Sequence, residues 1–276
     1  MDLPAWSEAF TPERLLPVRP IGVPLTREWA WGGSKGRGVK VAIIDSGVDG
    51  SHDRVGGVTG GVALTYDADA PDHVRVEEGP HEDFYGHGTA CAGIIRGLAP
   101  ECEIYSVRVL GRKLTGKGLV FAHGLNWAIE NGMDVVNLSL SSSRREYFAL
   151  FHELADEAYF RRTLLVSAVN NSPAESYPSL YSSVCSVAAR PESGPGFSYN
   201  PAPPVEFGAA GLDVDVAWLD GGSITATGNS FAAPVIAGYA ALILGKHPGL
   251  TPFQVKTILH ATADNAAQVA ARPAAG

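Results

Sequence analysis

From Val39 to Asp45 the chain reads VKVAIID, an apolar, β-branched run bounded by glycines. A run without polar alternation predicts a strand buried on both faces. EIYSVRVL (103–110), DVVNLSL (134–140), TLLVSAV (163–169) and VCSVAA (184–189) repeat the signal. Between them the period changes. Residues 118–131 place Leu119, Ala122, Leu125, Trp127 and Ile129 at helical spacing, and Gly132 ends the helix. Residues 88–97 and 145–161 also read as helices, and 230–246 as a long apolar one. Thr251 and Pro252 open a last helix as cap and first residue. Strands alternating with helices predict right-handed crossovers and a mostly parallel sheet covered on both faces. Residues 50–86 are rich in Gly and Asp and read as loop with at most a short hairpin. Residues 1–30 read as an irregular, proline-bearing arm, 31–265 as one domain, and 266–276 as a frayed Ala-rich tail.

Composition narrows the function classes. Apolar residues make up 45% of the 276 and charged residues 18%, as in an ordinary globular chain. The net charge of -8 offers no basic stripe for phosphates, so nucleic acid is not an expected partner. No apolar run is long enough to span a membrane, so none is expected there. The N-terminal MDLPAWSEAFTPERLLPVRP lacks a basic segment followed by an apolar core. The expected location is therefore cytoplasmic if Met1 is the natural start, and secreted if a leader has been trimmed away. Three cysteines, Cys91, Cys102 and Cys185, form neither a disulfide framework nor a CxxC zinc pattern, and read as buried thiols.

Three short blocks carry chemistry. Asp45 ends the first strand, where open parallel sheets place their sites. His87 lies between glycines in YGHGTACAG, at the start of a helix. Ser230 lies in TGNSFAAPVIAG, at a glycine turn that opens the long apolar helix. A serine there points its own N–H toward an attacked carbonyl, and the helix end favours developing negative charge. Each residue alone has a plain structural use. Together they supply nucleophile, base and the acid that orients the base, in the order Asp, His, Ser. His81 and His87 fit no metal-ligand spacing.

VAIIDSGVD, GHGTACAG and GNSFAAPVIAG resemble the signature blocks of the subtilases, and VNLSL (136–140) and SAVNNSP…YPS (167–179) match two further family segments. The resemblance runs from about Trp31 to Asp264. It implies a three-layer α/β subtilisin-like fold with a central, mostly parallel sheet flanked by helices. It also implies Asp45, His87 and Ser230 as catalytic triad, and Asn170 as oxyanion-hole side chain, with Asn171 as the competitor. The matched substrate-binding positions are Leu110, Leu114, Thr115 and Gly116 on one side and Ser139, Leu140 and Ser141 on the other. Val169 and Ser176 match positions lining the pocket for the residue before the scissile bond. The chain departs from the family at Val169, usually Gly, and at Ala90, Asn229 and Phe231. No calcium loop interrupts the helix after His87, and Arg54 replaces another calcium ligand. No cofactor or tight metal site is expected, which leaves a weak calcium site in acid-rich 67–83 open. A subset of the family carries cysteine at the position of Cys91 and is sensitive to thiol reagents.

The expected function is a serine endopeptidase acting on peptide or protein substrates through an acyl-enzyme on Ser230. The narrowed pocket adds maturation of one precursor peptide as a finer expectation. The alternatives are a silent subtilase fold that binds peptides and a transpeptidase with the same triad.

Overall fold

The structure is a computed structural model and describes residues 25–192, 194–202 and 204–266. The strands are β1 (Lys40–Asp45), β2 (Gly60–Tyr66), β3 (Val74–Glu78), β4 (Glu103–Arg108), β5 (Val135–Leu138), β6 (Leu164–Ala168), β7 (Cys185–Arg190), β8 (Phe197–Tyr199), β9 (Phe207–Ala210), β10 (Val214–Ala217) and β11 (Ser223–Ala226). The helices are α1 (Arg27–Trp31), α2 (His87–Leu98), α3 (Gly118–Glu130), α4 (Phe148–Phe160), α5 (Asn229–Lys246) and α6 (Pro252–Thr262). Nine strands form one sheet in the order β3-β2-β4-β1-β5-β6-β7-β9-β8. The inner pairings are parallel, and only the outermost pairs, β2–β3 and β8–β9, are antiparallel.

The alternation of side chains along a strand explains the layers. Val41 and Ile43 of β1 enter the core with Cys91, Ile95, Ile236 and Ala240 of α2 and α5. Ala42 and Ile44 enter the opposite core with Leu125, Ile129, Phe151 and Ala155 of α3 and α4. Both faces are dry, which is why β1 carries no polar residue between Lys40 and Asp45. The fold is the three-layer α/β arrangement the sequence implies.

Three parts of the chain differ from the sequence reading. The segment 50–86 holds β2 and β3, and β2 also pairs in parallel with β4, so the hairpin widens the main sheet. β3 alternates poorly, with Val74 buried and the rest exposed, which hid it from a periodicity argument. The strands β8 to β11 are three or four residues long and were not predicted. Across the boundary between the expected arm (1–30) and the domain, Arg27–Trp31 form a helix capped by the Thr26 hydroxyl. The rest of the arm up to residue 24, and the tail from 267, lie outside the described residues. Among the described residues no helix is long and apolar enough to cross a membrane.

Candidate active site

Asp45 closes β1 at the sheet's carboxyl edge and is fully buried. His87 is the first residue of α2, and its Nδ1 lies 2.9 and 2.8 Å from the two Asp45 carboxylate oxygens. Nδ1–H donates to this carboxylate, so Nε2 is the ring nitrogen left for a substrate or nucleophile. Two glycines make the approach possible. Gly86, before the imidazole, has φ +102 and leads the chain into α2 in a left-handed turn. At Gly88 a Cβ would stand 2.0 Å from the Gly47 carbonyl oxygen, so a side chain there would push α2 off β1.

Asp83 was not singled out by sequence, yet it anchors this corner. Its carboxylate accepts from Ser46 Oγ at 2.8 Å, from the Tyr85 and Gly86 N–H groups at 2.9 and 2.8 Å, and from Thr89 N–H and Oγ at 2.9 and 2.6 Å. These donors include backbone groups at the start of α2 that no helical carbonyl can serve. A carboxylate four residues before the histidine of a Gly-His-Gly turn is the available signal. The helix end and the Asp83 charge are mutually favourable.

Burial pulls the His87 pKa down. The Asp45 charge and hydrogen bond, aided by the Asp83 charge, outweigh burial and leave the imidazole above its ordinary value.

Ser230 is half-buried in the first turn of α5. Pro234 follows four residues later and has no N–H, so the Ser230 carbonyl loses its helical donor. Ser139 replaces it: Ser139 Oγ donates to the Ser230 carbonyl at 2.8 Å and accepts from Asn137 Nδ2 at 2.9 Å. Ser139 therefore does more than border the cleft; it ties the serine turn to the end of β5. Phe231, next in the chain, packs its ring 5.3 Å from the His87 ring. Phe231 also shares a small buried cluster with Ala90 and Val216, so two of the departures from the family pattern are neighbours in space. Ser230 Oγ and His87 Nε2 are not hydrogen-bonded here, a contact that commonly tightens only with substrate.

Asn229 gains a role. Its amide donates to the Val169 and Asn170 carbonyls at 3.2 and 3.1 Å and its oxygen accepts from Ala189 N–H at 2.8 Å. Its own N–H donates to Asn171 Oδ1 at 2.9 Å. The segment after β6 is thus fixed to the start of α5. Asn170 Oδ1 accepts from Ser172 N–H at 2.9 Å, which leaves Nδ2 as the donor of this side chain.

A cleft of about 420 Å³ runs from His87 and is lined by Leu110, Leu114, Thr115, Gly116, Ser139, Leu140 and Ser141, so these seven predicted positions come together. Val169 and Ser176 do not line it. Val169 is half-buried beyond β6, and Ser176 is buried with its hydroxyl 3.0 Å from Ser179 Oγ.

Cys91 lies one turn along α2, with Sγ 4.0 Å from Asp45 Oδ2, 3.3 Å from Ser139 Oγ and 3.7 Å from the Ser230 carbonyl. Burial, reinforced by the Asp45 charge, pushes its thiol well above the ordinary range. Asp45, His87 and Cys91 are the only cluster of three potential metal ligands among the described residues, and their mutual contacts already use them. His81 is turned elsewhere, with Nε2 on Ser106 Oγ at 2.8 Å. Arg54 pairs with Asp215 at 2.9 Å, and Asp67 accepts from Arg75 Nε at 3.0 Å.

The family model described as the subtilase family matches residues 36–275. The chain belongs to the subtilase family. Among its relatives, the minor extracellular protease Epr of Bacillus subtilis (strain 168) is 32% identical over 247 residues, covering 84% of this chain and 36% of Epr. Subtilisin E of the same organism is 34% identical over 248 residues, covering 84% of this chain and 62% of that protein. The chain thus spans less than two thirds of either relative. A solved structure of a cold adapted subtilisin-like serine proteinase has a TM-score of 0.67 at 29% identity and covers 83% of each chain. The blocks around Asp45, His87 and Ser230 imply this same subtilase fold.

Proposed function

We propose that the protein is a serine endopeptidase that hydrolyses peptide bonds through an acyl-enzyme on Ser230. The observation that carries this reading is the buried Asp45–His87 pair, with both carboxylate oxygens within 2.9 Å of Nδ1, beside the Ser230 turn. Ser230 Oγ attacks the scissile carbonyl carbon while its proton passes to His87 Nε2. Asp45 holds the tautomer and stabilises the imidazolium. The tetrahedral oxyanion faces Ser230 N–H and Asn170 Nδ2. A side-chain amide donor in this position is worth about 3 kcal/mol of transition-state stabilisation. His87 then protonates the leaving amine as the C–N bond breaks. Water gives its proton to Nε2, its oxygen bonds the acyl carbon, and Ser230 leaves with its proton restored.

The test is turnover of a peptide mixture by wild type and Ser230→Ala. The variant should lose at least about a thousandfold, keeping only what the oxyanion donors and binding supply. Unchanged turnover would remove Ser230 from this role.

The finer reading is maturation of one precursor peptide. What supports it is the resemblance alone, which puts Val169 where the family has glycine in the pocket before the scissile bond, although Val169 does not line the cleft at His87. A cleavage profile on a diverse peptide library should then show one dominant motif with a small residue before the cut. A broad profile would leave general proteolysis instead.

A further inference from the structure

The cleft that starts at His87 has apolar walls, Leu110, Phe121 and Leu140, and a rim that includes Lys117 and Arg144; no Asp or Glu lines it. This is opposite to the chain's net charge of -8. A second cavity of about 400 Å³, on the other side of residues 110–117, is lined by Arg108, Lys117 and Phe84, again without a carboxylate. The Arg108 and Arg112 guanidinium carbons lie 3.9 and 4.6 Å from the Phe84 ring centre. Lys117 Nζ lies 2.9 Å from the Tyr66 ring centre.

These cations are poorly neutralised. Among the described residues, Arg108, Arg112, Lys113 and Lys117 make no ion pair. Arg108, only 9% exposed, donates to the Glu82 carbonyl at 3.0 Å, and the Glu77 and Glu82 charges act on it from further away. Arg144 pairs with Glu146 at 2.9 Å, but these side chains are 69% and 54% exposed. Such a pair is weak and leaves other guanidinium donors open.

We propose that this cleft selects acidic residues in the stretch of peptide before the scissile bond, with Lys117 and Arg144 as specificity-determining side chains. The inference rests on the endopeptidase reading and names its substrate class, an acidic peptide. A peptide laid along Leu114–Gly116 and Ser139–Ser141 as an added strand sends alternate side chains to the rim. A substrate carboxylate there meets Arg144, and also Lys117 once its ammonium leaves the Tyr66 ring, above apolar walls where potentials are focused. Two exposed pairs together predict about a tenfold advantage of Glu over Gln in kcat/KM.

The test is a matched peptide series with Ala before the cut. Glu, Gln or Lys is placed at each of the second, third and fourth residues before the bond. At low salt, Glu should exceed Gln about tenfold at one position or more, with Lys below both. The ratio should shrink toward one at about 0.5 M salt, where the Debye length is a few Å. Arg144→Gln and Lys117→Gln should each reduce the ratio, and Arg144→Glu should turn it toward Lys. The wild-type series alone suffices if a variant fails to fold. Cleavage with equal kcat/KM for the three residues at every position would overturn the acidic preference and leave the endopeptidase reading standing. No cleavage of any peptide, with no fluorophosphonate labelling of Ser230, would overturn both.

Discussion

Replacing Ser139 by alanine should loosen the serine turn because of a proline in the second turn of α5. Pro234 denies the Ser230 carbonyl its helical donor, and Ser139 Oγ supplies the substitute at 2.8 Å. The same oxygen accepts from Asn137 Nδ2 at 2.9 Å, and Asn137 is fully buried with its Oδ1 already lacking a partner. Ser139→Ala therefore strands one carbonyl and one amide donor. The Cys91 thiol, 3.7 Å from the carbonyl, is a weak donor and recovers little. Each stranded group costs about 1–3 kcal/mol, so the expected loss is about 2–6 kcal/mol. In a domain of this size that is a fall in Tm of roughly 5–25 °C. The measurement belongs in a Ser230→Ala background, which removes self-digestion. A second substitution sharpens it. Pro234→Ala restores an N–H four residues from Ser230, so the double variant Ser139→Ala, Pro234→Ala should be less destabilised than the sum of the singles. The coupling should exceed about 0.5 kcal/mol, the scatter of independent sites. A Ser139→Ala loss below about 0.5 kcal/mol, or strict additivity with Pro234→Ala, would refute the account of how Ser230 is held.

His87 must be neutral to accept a proton, and its pKa is raised by Asp45 and Asp83 against the pull of burial. kcat/KM should therefore rise with pH through an apparent pKa above the ordinary histidine value of about 6.5; a midpoint below it would contradict the electrostatics. The same raised pKa means that His87 contributes stability below its unfolded-state pKa, lost as pH climbs through the folded one. A mercurial should block activity by forcing Cys91 Sγ against Asp45 and His87, whereas Cys91→Ala should keep most activity and resist the reagent. Resistance of the wild type, or a Cys91→Ala variant as dead as Ser230→Ala, would show that the thiol is misplaced. EDTA should neither inactivate the protein nor shift its Tm by more than about 2 °C, since a tight ion would add stability by mass action; a large drop would reveal a metal site.

The site was legible where its residues announce themselves locally. Asp45 ends an apolar run, His87 stands between glycines, and Ser230 opens a helix, so each is a short-range pattern. The buried strands β1, β5 and β6 were legible for the same reason: both faces are dry, and the runs are continuous; β4 and β7 are buried over about half their length or more, enough to leave an apolar signal. Asn229 was not legible, because its partners lie in segments brought together only by folding, as with Val169, 60 residues away; Asp83 carries a local signal, since most of its donors lie within six residues of it. Ser139 is recognisable as a cleft residue, but its bond to Ser230 depends on Pro234, far along the chain in α5. The short strands β8 to β11 have too few residues to show a period. Ala90 and Phe231 look like separate departures in the sequence; packing makes them one.

The most direct test of the central claim is fluorophosphonate labelling followed by peptide mass mapping. The account predicts one adduct, on Ser230, abolished by Ser230→Ala and slowed strongly by His87→Ala, because the hydroxyl needs His87 Nε2 to take its proton. A folded protein that takes no label, or takes it on another serine with Ser230 unmodified, would contradict it.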